Sequence, residues 1–190
     1  MRAFIGISLP QEIILKLSSL QDILKETNVK AAWVKPANLH ITLKFLGEIG
    51  PGQLNAARIA LKNTARHFNC FTATLTGLGV FPDTRSPRII WVGVGQENGR
   101  IAQLAAAIET GIKVPEETRN NHDFLTHITI ARVKSKTNLK ALSGNISALS
   151  KYYADAPVVF KIDKLALFES KLTAGGSIYE KVAQEDLKIS

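Results

Sequence analysis

Apolar and polar residues alternate along several short stretches of this chain, and the longer stretches between them repeat apolar residues every three or four positions. Near the start, Ile5, Ile7 and Leu9 alternate with other residues, which is the two-residue period of a half-buried strand. From Pro10 to about Thr27 the spacing lengthens to that of a helix with one buried stripe. The pattern therefore predicts a strand followed by an amphipathic helix.

The same two patterns continue to the end of the chain. Alternating or β-branched stretches predict strands over 39–46, 70–81, 87–95 and 124–134. A C-terminal hairpin is predicted, in which the permissive pair Gly175 and Gly176 is flanked by 158–170 and 177–185. Apolar spacing predicts helices over 53–67, 98–112 and from about 137, and polar residues predict a loop over 115–123.

Interspersed helices and strands fit either a parallel doubly wound sheet or an antiparallel α+β fold. No glycine-rich phosphate loop follows a predicted strand, and several neighbouring strands are joined too briefly for parallel crossovers. We therefore predict the antiparallel α+β class. A strand containing His-Ile-Thr and then a helix occur twice, which suggests two related lobes with one such strand in each.

Composition and charge bound the class of protein. The chain has 190 residues, 45% of them hydrophobic, and can bury one continuous core, so we expect a single globular domain. Lys and Arg number 24 against 16 Asp and Glu, which favours an anionic partner such as nucleic acid or a phosphate-bearing substrate. A basic surface that serves only solubility is an equal alternative.

Cysteine content and apolar runs indicate the compartment. Cys70 is the only cysteine, so no internal disulfide and no thiolate metal cluster can form, and a reducing cytoplasm fits. The N-terminal apolar run ends at Pro10, too early for a secretory signal, and no apolar stretch reaches the roughly 18 residues that a membrane span needs. We expect a cytoplasmic protein without membrane association.

The chemistry-bearing feature is a tetrapeptide pattern, His-Ile-Thr-aliphatic, that begins at His40 and again 87 positions later at His127, in a chain with only four histidines. Residues i and i+2 of a strand share a face, so each histidine lies beside a threonine, Thr42 or Thr129. An imidazole can accept or donate a proton near neutral pH, and a hydroxyl can bond an anionic oxygen. Two such strands facing each other would surround a phosphate.

Cleavage of a phosphodiester benefits from this arrangement, because a nucleophile enters and an alkoxide leaves on opposite sides of phosphorus. One general acid or base typically contributes about 10²–10⁴-fold, so a cooperating pair is a useful catalyst without a metal. A cyclic 2′,3′-phosphodiester is a suitable target because its ring is strained. Structural histidines are one alternative. A zinc site is another, but it needs a third ligand, and no HExxH helix or cysteine pair is present.

The remaining two histidines lack the motif. His67 lies near a predicted helix end, where the helix dipole accounts for it, and His122 is predicted to lie on a surface loop.

Around these motifs the chain resembles the two-histidine (2H) phosphoesterase superfamily, and within it the RNA 2′,3′-cyclic phosphodiesterase family, also called 2′-5′ RNA ligases. The likeness covers nearly the whole chain, in the segments "MRAFIGISLP", "WVKPANLHITLKFLGEI", "GVFPDTRSPRIIWVGV", "FLTHITIARV" and "LFESKLTAGGSIYEKV". The resemblance implies one domain over 1–190, with two pseudo-symmetric lobes whose antiparallel sheets line a central cleft and whose helices lie outside.

The resemblance also implies the reaction, in which an RNA 2′,3′-cyclic phosphate is opened to a 2′-phosphate without metal or other cofactor. Carried over to this chain, His40 is the general acid for the 3′ oxygen and His127 the general base for water. Thr42 and Thr129 would hold the nonbridging oxygens. The reverse reaction, which joins ends through a 2′-5′ linkage, swaps the acid and the base.

Further residues match the family pattern less directly. Arg132 matches an arginine near the substrate phosphate, but strict alternation places it opposite His127, so we predict a bulge or strand end before it. Phe4 is a candidate for stacking on a base, with core packing as the alternative. Alternation places Lys44 on the face of His40, and Thr126 stands where the family usually has proline.

The implied partner is RNA with 2′,3′-cyclic phosphate ends, including tRNA-derived ends, or a related nucleotide, bound by a monomer. Two alternatives remain open. In the first, the protein is a non-catalytic binding module whose cleft holds RNA ends without turnover. In the second, it is an enzyme that acts on a small cyclic nucleotide or an ADP-ribose derivative.

Overall fold

The computed structural model describes residues 1–112, 125–174 and 176–189. The predicted loop 115–123 with His122, and Gly175 of the predicted turn, lie outside the described residues. Within the described ranges the four α-helices are α1 (Gln11–Lys25), α2 (Pro51–His67), α3 (Arg100–Gly111) and α4 (Leu139–Asp155). The nine strands of these ranges are β1 (Arg2–Ser8), β2 (Ala31–Trp33), β3 (His40–Glu48), β4 (Phe71–Phe81), β5 (Ile89–Gln96), β6 (His127–Val133), β7 (Val158–Ile162), β8 (Lys164–Thr173) and β9 (Gly176–Asp186).

The helix α1 illustrates how the apolar spacing produces an element. It starts directly after Pro10, and the buried side chains Ile13, Leu17, Leu20 and Leu24 form the predicted stripe. The helix ends two residues before the predicted end, where the hydroxyl of Thr27 donates to the carbonyl oxygen of Leu24 at 2.7 Å.

The strands form two sheets, and every pair of neighbouring strands is antiparallel, which confirms the predicted α+β class. The first sheet has the order β3-β1-β8-β9, and the second has the order β2-β6-β5-β4-β7. In each sheet the strand with a His-Ile-Thr motif, β3 or β6, pairs with the strand that precedes it along the chain, β1 or β5, apart from the short β2. This shared arrangement makes the two lobes alike.

The predicted strand over 158–170 is wrong as a single element. Residues of β7 pair with β4 in the second sheet, and after Asp163 the chain continues as β8 beside β1 in the first sheet. The hairpin prediction holds only for β8 and β9. The run of β-forming residues hides the change of sheet, because no glycine or proline interrupts it.

Two of the helices tie the lobes together. Helix α1 follows β1 of the first sheet but contacts β6 of the second, and α3 follows β5 of the second sheet but packs on β3 of the first. Helices α2 and α4 cover their own lobes, against β8 and β4. One buried apolar cluster contains Ile5 of the first sheet and Ile90 of the second. Each motif strand is therefore supported by a helix from the opposite lobe.

Candidate active site

A cleft of about 640 Å³ is lined by residues of both sheets. The first sheet contributes side chains of β1, β3, β8 and β9, and the second contributes side chains of β6. All six residues predicted for the site line this cleft: Phe4, His40, Thr42, His127, Thr129 and Arg132.

Both histidines are held in the same tautomer by the main chain. Nδ1 of His40 lies 2.7 Å from the carbonyl oxygen of Asn38, and Nδ1 of His127 lies 2.8 Å from that of Leu125. A carbonyl can only accept a hydrogen bond, so each Nδ1 carries a hydrogen. Each Nε2 is therefore left to take up or release a proton, and the two motifs achieve this with the same contact two residues upstream.

Burial keeps His40 neutral in the free protein. It lowers the pKa of the imidazole from 6.5 to about 4; the carbonyl of Asn38 opposes this shift and the charge of His127 adds to it. In the neutral ring, Nε2 accepts the hydrogen bond that the hydroxyl of Thr42 donates at 3.0 Å. This protonation state is the opposite of the one that the predicted acid needs, and an anion bound beside the ring would favour the charged form.

Aromatic rings pack around His40 and cause this burial. The centroid of Phe4 lies 4.7 Å from that of His40, and Tyr179 contacts the imidazole edge-to-face at 5.2 Å. Phe4 is only 2% exposed and stacks on Phe168 at 4.9 Å. Phe4 therefore packs beneath His40, which is the core-packing alternative, and this burial argues against the predicted stacking of Phe4 on a base.

The second histidine has its own aromatic neighbours. Phe81 contacts the ring of His127 edge-to-face at 5.3 Å, and Trp91 lies 6.3 Å from it. A Cβ at Gly79 would lie 2.2 Å from the Trp91 ring, so only glycine lets the indole take this position. The two imidazoles thus lie against separate aromatic clusters on the two lobes.

A β-bulge in β3 changes which side chains face the cleft. Ile5 pairs with Lys44 and Gly6 with Thr42, so Leu43 has no partner in β1. The prediction that Lys44 shares the face of His40 is wrong for this reason: Lys44 is 1% exposed and forms an ion pair with Glu109 of α3.

The same bulge brings Phe45 into the cleft. Strict alternation from His40 along the strand would put Phe45 on the opposite face, but this ring lines the cleft and is 53% exposed. Sequence patterns could not identify this residue, because the shift depends on the pairing with β1.

The second motif strand contains the equivalent bulge. Ile90 pairs with Ala131 and Trp91 with Thr129, so Ile130 has no partner in β5. This confirms the bulge predicted before Arg132, which lines the cleft together with Thr129. Arg132 lies five residues after its histidine, as Phe45 does in the first motif, so the two lobes place a cation and an aromatic ring at equivalent positions.

Each bulge is held by a polar side chain from a crossing helix. Nε2 of Gln21, on α1, donates to the carbonyl oxygens of Ile130 at 2.8 Å and Val34 at 2.9 Å, and this side chain is 3% exposed. Glu109 on α3 holds Lys44, next to the other bulge. Sequence reasoning missed both residues, because each looks like an ordinary polar position of an amphipathic helix.

Asn38 was also missed, although it precedes the first motif. Its Nδ2 donates to the carbonyl oxygen of Ser177 at 2.7 Å, and the amide of Tyr179 donates to its Oδ1 at 3.3 Å. The residue therefore fixes β9, which carries Tyr179, next to His40. The contacts span about 140 positions, and no local pattern signals them.

Two other sequence observations have structural counterparts. The carbonyl of Thr126 accepts the amide hydrogen of Val94 at 3.1 Å, so the pairing continues just before β6 at the position where the family usually has proline. His67 is the last residue of α2, and its Nδ1 donates to the carbonyl of Asn63 at 2.7 Å.

In the described part of the chain, no helix is long and apolar enough to cross a membrane.

Comparisons with known proteins agree with this geometry. The model of the family described as LigT like Phosphoesterase matches residues 7–91 and, a second time, residues 92–179. Each match contains one His-Ile-Thr motif.

Two curated proteins named RNA 2′,3′-cyclic phosphodiesterase are similar over most of their length. One, from Methanothermobacter thermautotrophicus, is 31% identical over 94% of this chain and 94% of its own length. The other, from Archaeoglobus fulgidus, is 34% identical over 95% of this chain and 97% of its own length. The crystal structure of TT0787 of Thermus thermophilus superposes with a TM-score of 0.79 at 25% identity, covering 100% of this chain and 99% of that one.

Proposed function

The chain belongs to the LigT-like phosphoesterase family, and on that basis we propose that it hydrolyses RNA 2′,3′-cyclic phosphate ends to 2′-phosphomonoesters. The observation that carries the proposal is the pair of histidines that line one cleft, each with Nδ1 bonded to a carbonyl and Nε2 left for proton transfer. The relatives named RNA 2′,3′-cyclic phosphodiesterase support the substrate class.

In the proposed reaction, the two imidazoles act on opposite sides of phosphorus. Nε2 of His127 takes a proton from water while the water oxygen forms a bond to phosphorus. Nε2 of His40 gives a proton to the 3′ oxygen while the bond between phosphorus and that oxygen breaks. The products are a 2′-phosphate and a 3′-hydroxyl, and solvent returns the two rings to their starting states.

His40 gains its proton when the substrate binds. Its pKa of about 4 in the free protein leaves the ring neutral near pH 7. A phosphodiester anion in the cleft raises this pKa, since an opposite charge within a few ångströms favours the charged form. Substrate binding and proton uptake by His40 are therefore coupled, and the acid is formed only where it is used.

The remaining cleft residues bind the phosphate and the nucleoside. The hydroxyls of Thr42 and Thr129 and the guanidinium of Arg132 supply donors for the nonbridging oxygens. Phe45, exposed at the rim, offers an aromatic face to a base in place of the buried Phe4. Every group in this scheme is a protein side chain, so the reaction is proposed to run without metal or other cofactor. Where the 5′-hydroxyl of a second RNA attacks phosphorus in place of water, the bond to the 3′ oxygen breaks and a 2′-5′ linkage forms, and this ligation is proposed to be reversible.

The test is product analysis on an oligonucleotide that ends in a 2′,3′-cyclic phosphate, with a chelator present. We expect a 2′-phosphate and no 3′-phosphate, and a loss of at least about 100-fold in kcat for His40→Ala and for His127→Ala. His67→Ala is the matched control and keeps full activity, since His67 is exposed at the end of α2.

Three outcomes would contradict parts of the proposal. Full activity in both cleft variants would remove the two-histidine mechanism. Binding of the oligonucleotide without turnover would identify a non-catalytic RNA-end-binding module. Turnover of small cyclic nucleotides alone would keep the chemistry and change the substrate.

A further inference from the structure

Exposed basic residues surround the end of β6, next to Arg132. The amide of Lys134 donates to the carbonyl of Lys30 at 2.7 Å, and the amide of Val133 donates to the carbonyl of Arg88 at 2.9 Å. The main chains of Lys30, Arg88 and Lys134 thus meet at the ends of neighbouring strands, which are about 4.8 Å apart. Alternation places Lys30 and Lys134 on the face of Arg132, and Arg88, opposite Val133, on the other face of the same sheet edge. Lys136 follows, and we call these four the basic edge: Lys30, Arg88, Lys134 and Lys136, all exposed.

The charges of the basic edge have no acidic partner in the part of the chain that the structure describes, since none of its four members forms an ion pair there. Lys171 on β8 differs, because it pairs with Glu180 at 2.6 Å and Glu169 at 3.8 Å. The basic edge therefore adds positive potential where β6 leaves the cleft.

The basic edge is continuous with the cleft through Arg132. This arginine lines the cleft, and its Cα partners are Ala32 on one side and Ile89 on the other. Those two strands approach β6 from the basic edge, because Lys30 lies two residues before Ala32 and Arg88 directly before Ile89. A polyanion whose end occupies the cleft at Arg132 can leave over Lys30 and Lys134, which share its face of the sheet, toward Lys136.

We propose that the basic edge binds the backbone phosphates of the RNA that leads to the cyclic end. The inference rests on the proposed function and extends it, since it assigns the binding of the chain to a surface outside the catalytic cleft. The contacts are to phosphates, so they carry no sequence preference. Their effect is to favour an oligonucleotide over a single cyclic nucleotide.

The magnitude follows from counterion release. For single-stranded nucleic acid, each phosphate that the protein neutralises makes the slope of log K against log salt more negative by about 0.7. Three contacts give a slope near −2.1, so raising salt from about 50 to 200 mM lowers kcat/KM for an oligonucleotide roughly 20-fold. A nucleoside 2′,3′-cyclic phosphate does not reach the basic edge and loses far less over the same salt range.

The experiment compares two substrates and three proteins. The substrates are a nucleoside 2′,3′-cyclic phosphate and an oligonucleotide of about ten residues with the same cyclic end. The proteins are the wild type, a variant with the basic edge changed to glutamine, and a charge-matched control. The control changes four exposed lysines on elements that do not line the cleft: Lys16, Lys62, Lys151 and Lys161.

We expect the basic-edge variant to keep its activity on the nucleoside substrate within about twofold, which also shows that the cleft is folded. Its advantage for the oligonucleotide and the steep salt dependence should both be lost, and the control should retain both. Equal losses in the two variants, or no oligonucleotide advantage in the wild type, would overturn the proposal. Failure to turn over either substrate would instead overturn the proposed function.

Discussion

The hydrogen bonds of Gln21 lead to a prediction that connects stability with activity. Gln21→Met replaces the side chain by an apolar one of similar length, so packing is largely kept while both hydrogen bonds are lost. The carbonyl of Ile130 keeps a bond from the amide of Val34 at 2.9 Å. The carbonyl of Val34 loses the bond from Gln21.

The expected loss of stability follows from these contacts. Each neutral hydrogen bond contributes about 0.5–1.5 kcal/mol, so the two contribute about 1–3 kcal/mol to the free energy of unfolding. For a chain of 190 residues each kcal/mol lowers the melting temperature by about 2–4 °C. Gln103→Met is the matched control, because its Nε2 also donates to a main-chain carbonyl, that of Asn98 at 2.7 Å, but on an exposed surface.

The activity change separates positioning from general destabilisation. If Gln21 acts through the bulge that directs Arg132, Gln21→Met lowers kcat/KM in the wild type and has no further effect in Arg132→Ala. The loss in the single variant is bounded by that of Arg132→Ala, roughly 10- to 150-fold for a charged hydrogen bond worth about 1.5–3 kcal/mol. Hydrolysis of a nucleoside 2′,3′-cyclic phosphate by the four proteins measures this coupling. An equal factor in both backgrounds would refute the reasoning.

Three further predictions follow from other contacts. In Gly6→Ala the new Cβ would lie 2.6 Å from the main-chain oxygen of Ile41, so we expect the free energy of unfolding, measured with urea, to fall by about 1–3 kcal/mol. An unchanged urea midpoint would contradict this expectation. Glu109→Gln removes the charge that faces the buried Lys44. Because Glu109 is 39% exposed, we expect the free energy of unfolding to fall by on the order of 2 kcal/mol. The double variant Glu109→Gln with Lys44→Met should recover part of this loss, which calorimetry of the single and double variants checks. Because the pKa of His40 is lowered to about 4, the unfolded chain binds a proton that the folded protein does not between pH 6.5 and 4, so stability is full above pH 6.5 and falls by up to about 3 kcal/mol as pH falls to 4. His40→Gln should lack this contribution, and identical pH dependence of unfolding in the two proteins would rule it out.

The positions of most elements could be predicted from the sequence, because each depends on burial that repeats with the local backbone period. Helix α1 shows its stripe in four leucine and isoleucine positions, and the strands with His40 and His127 show their motifs directly. The helix stripe and the two motifs are local, and a local pattern is enough to find them. The bulge before Arg132 was predicted only because the family resemblance matched this arginine to one near the phosphate, since alternation alone placed it opposite His127.

Pairing and contact between distant segments could only be decided by the tertiary structure. The bulge at Leu43 exchanges Lys44 and Phe45 between core and cleft, because the register with β1 sets the face of each residue. The change of sheet at Asp163 has the same origin, since β7 and β8 find different partner strands. The spacing of apolar residues indicates that a residue is buried, but the residues that bury it lie elsewhere in the chain. Only the folded arrangement brings Gln21 to one bulge and Glu109 to the other.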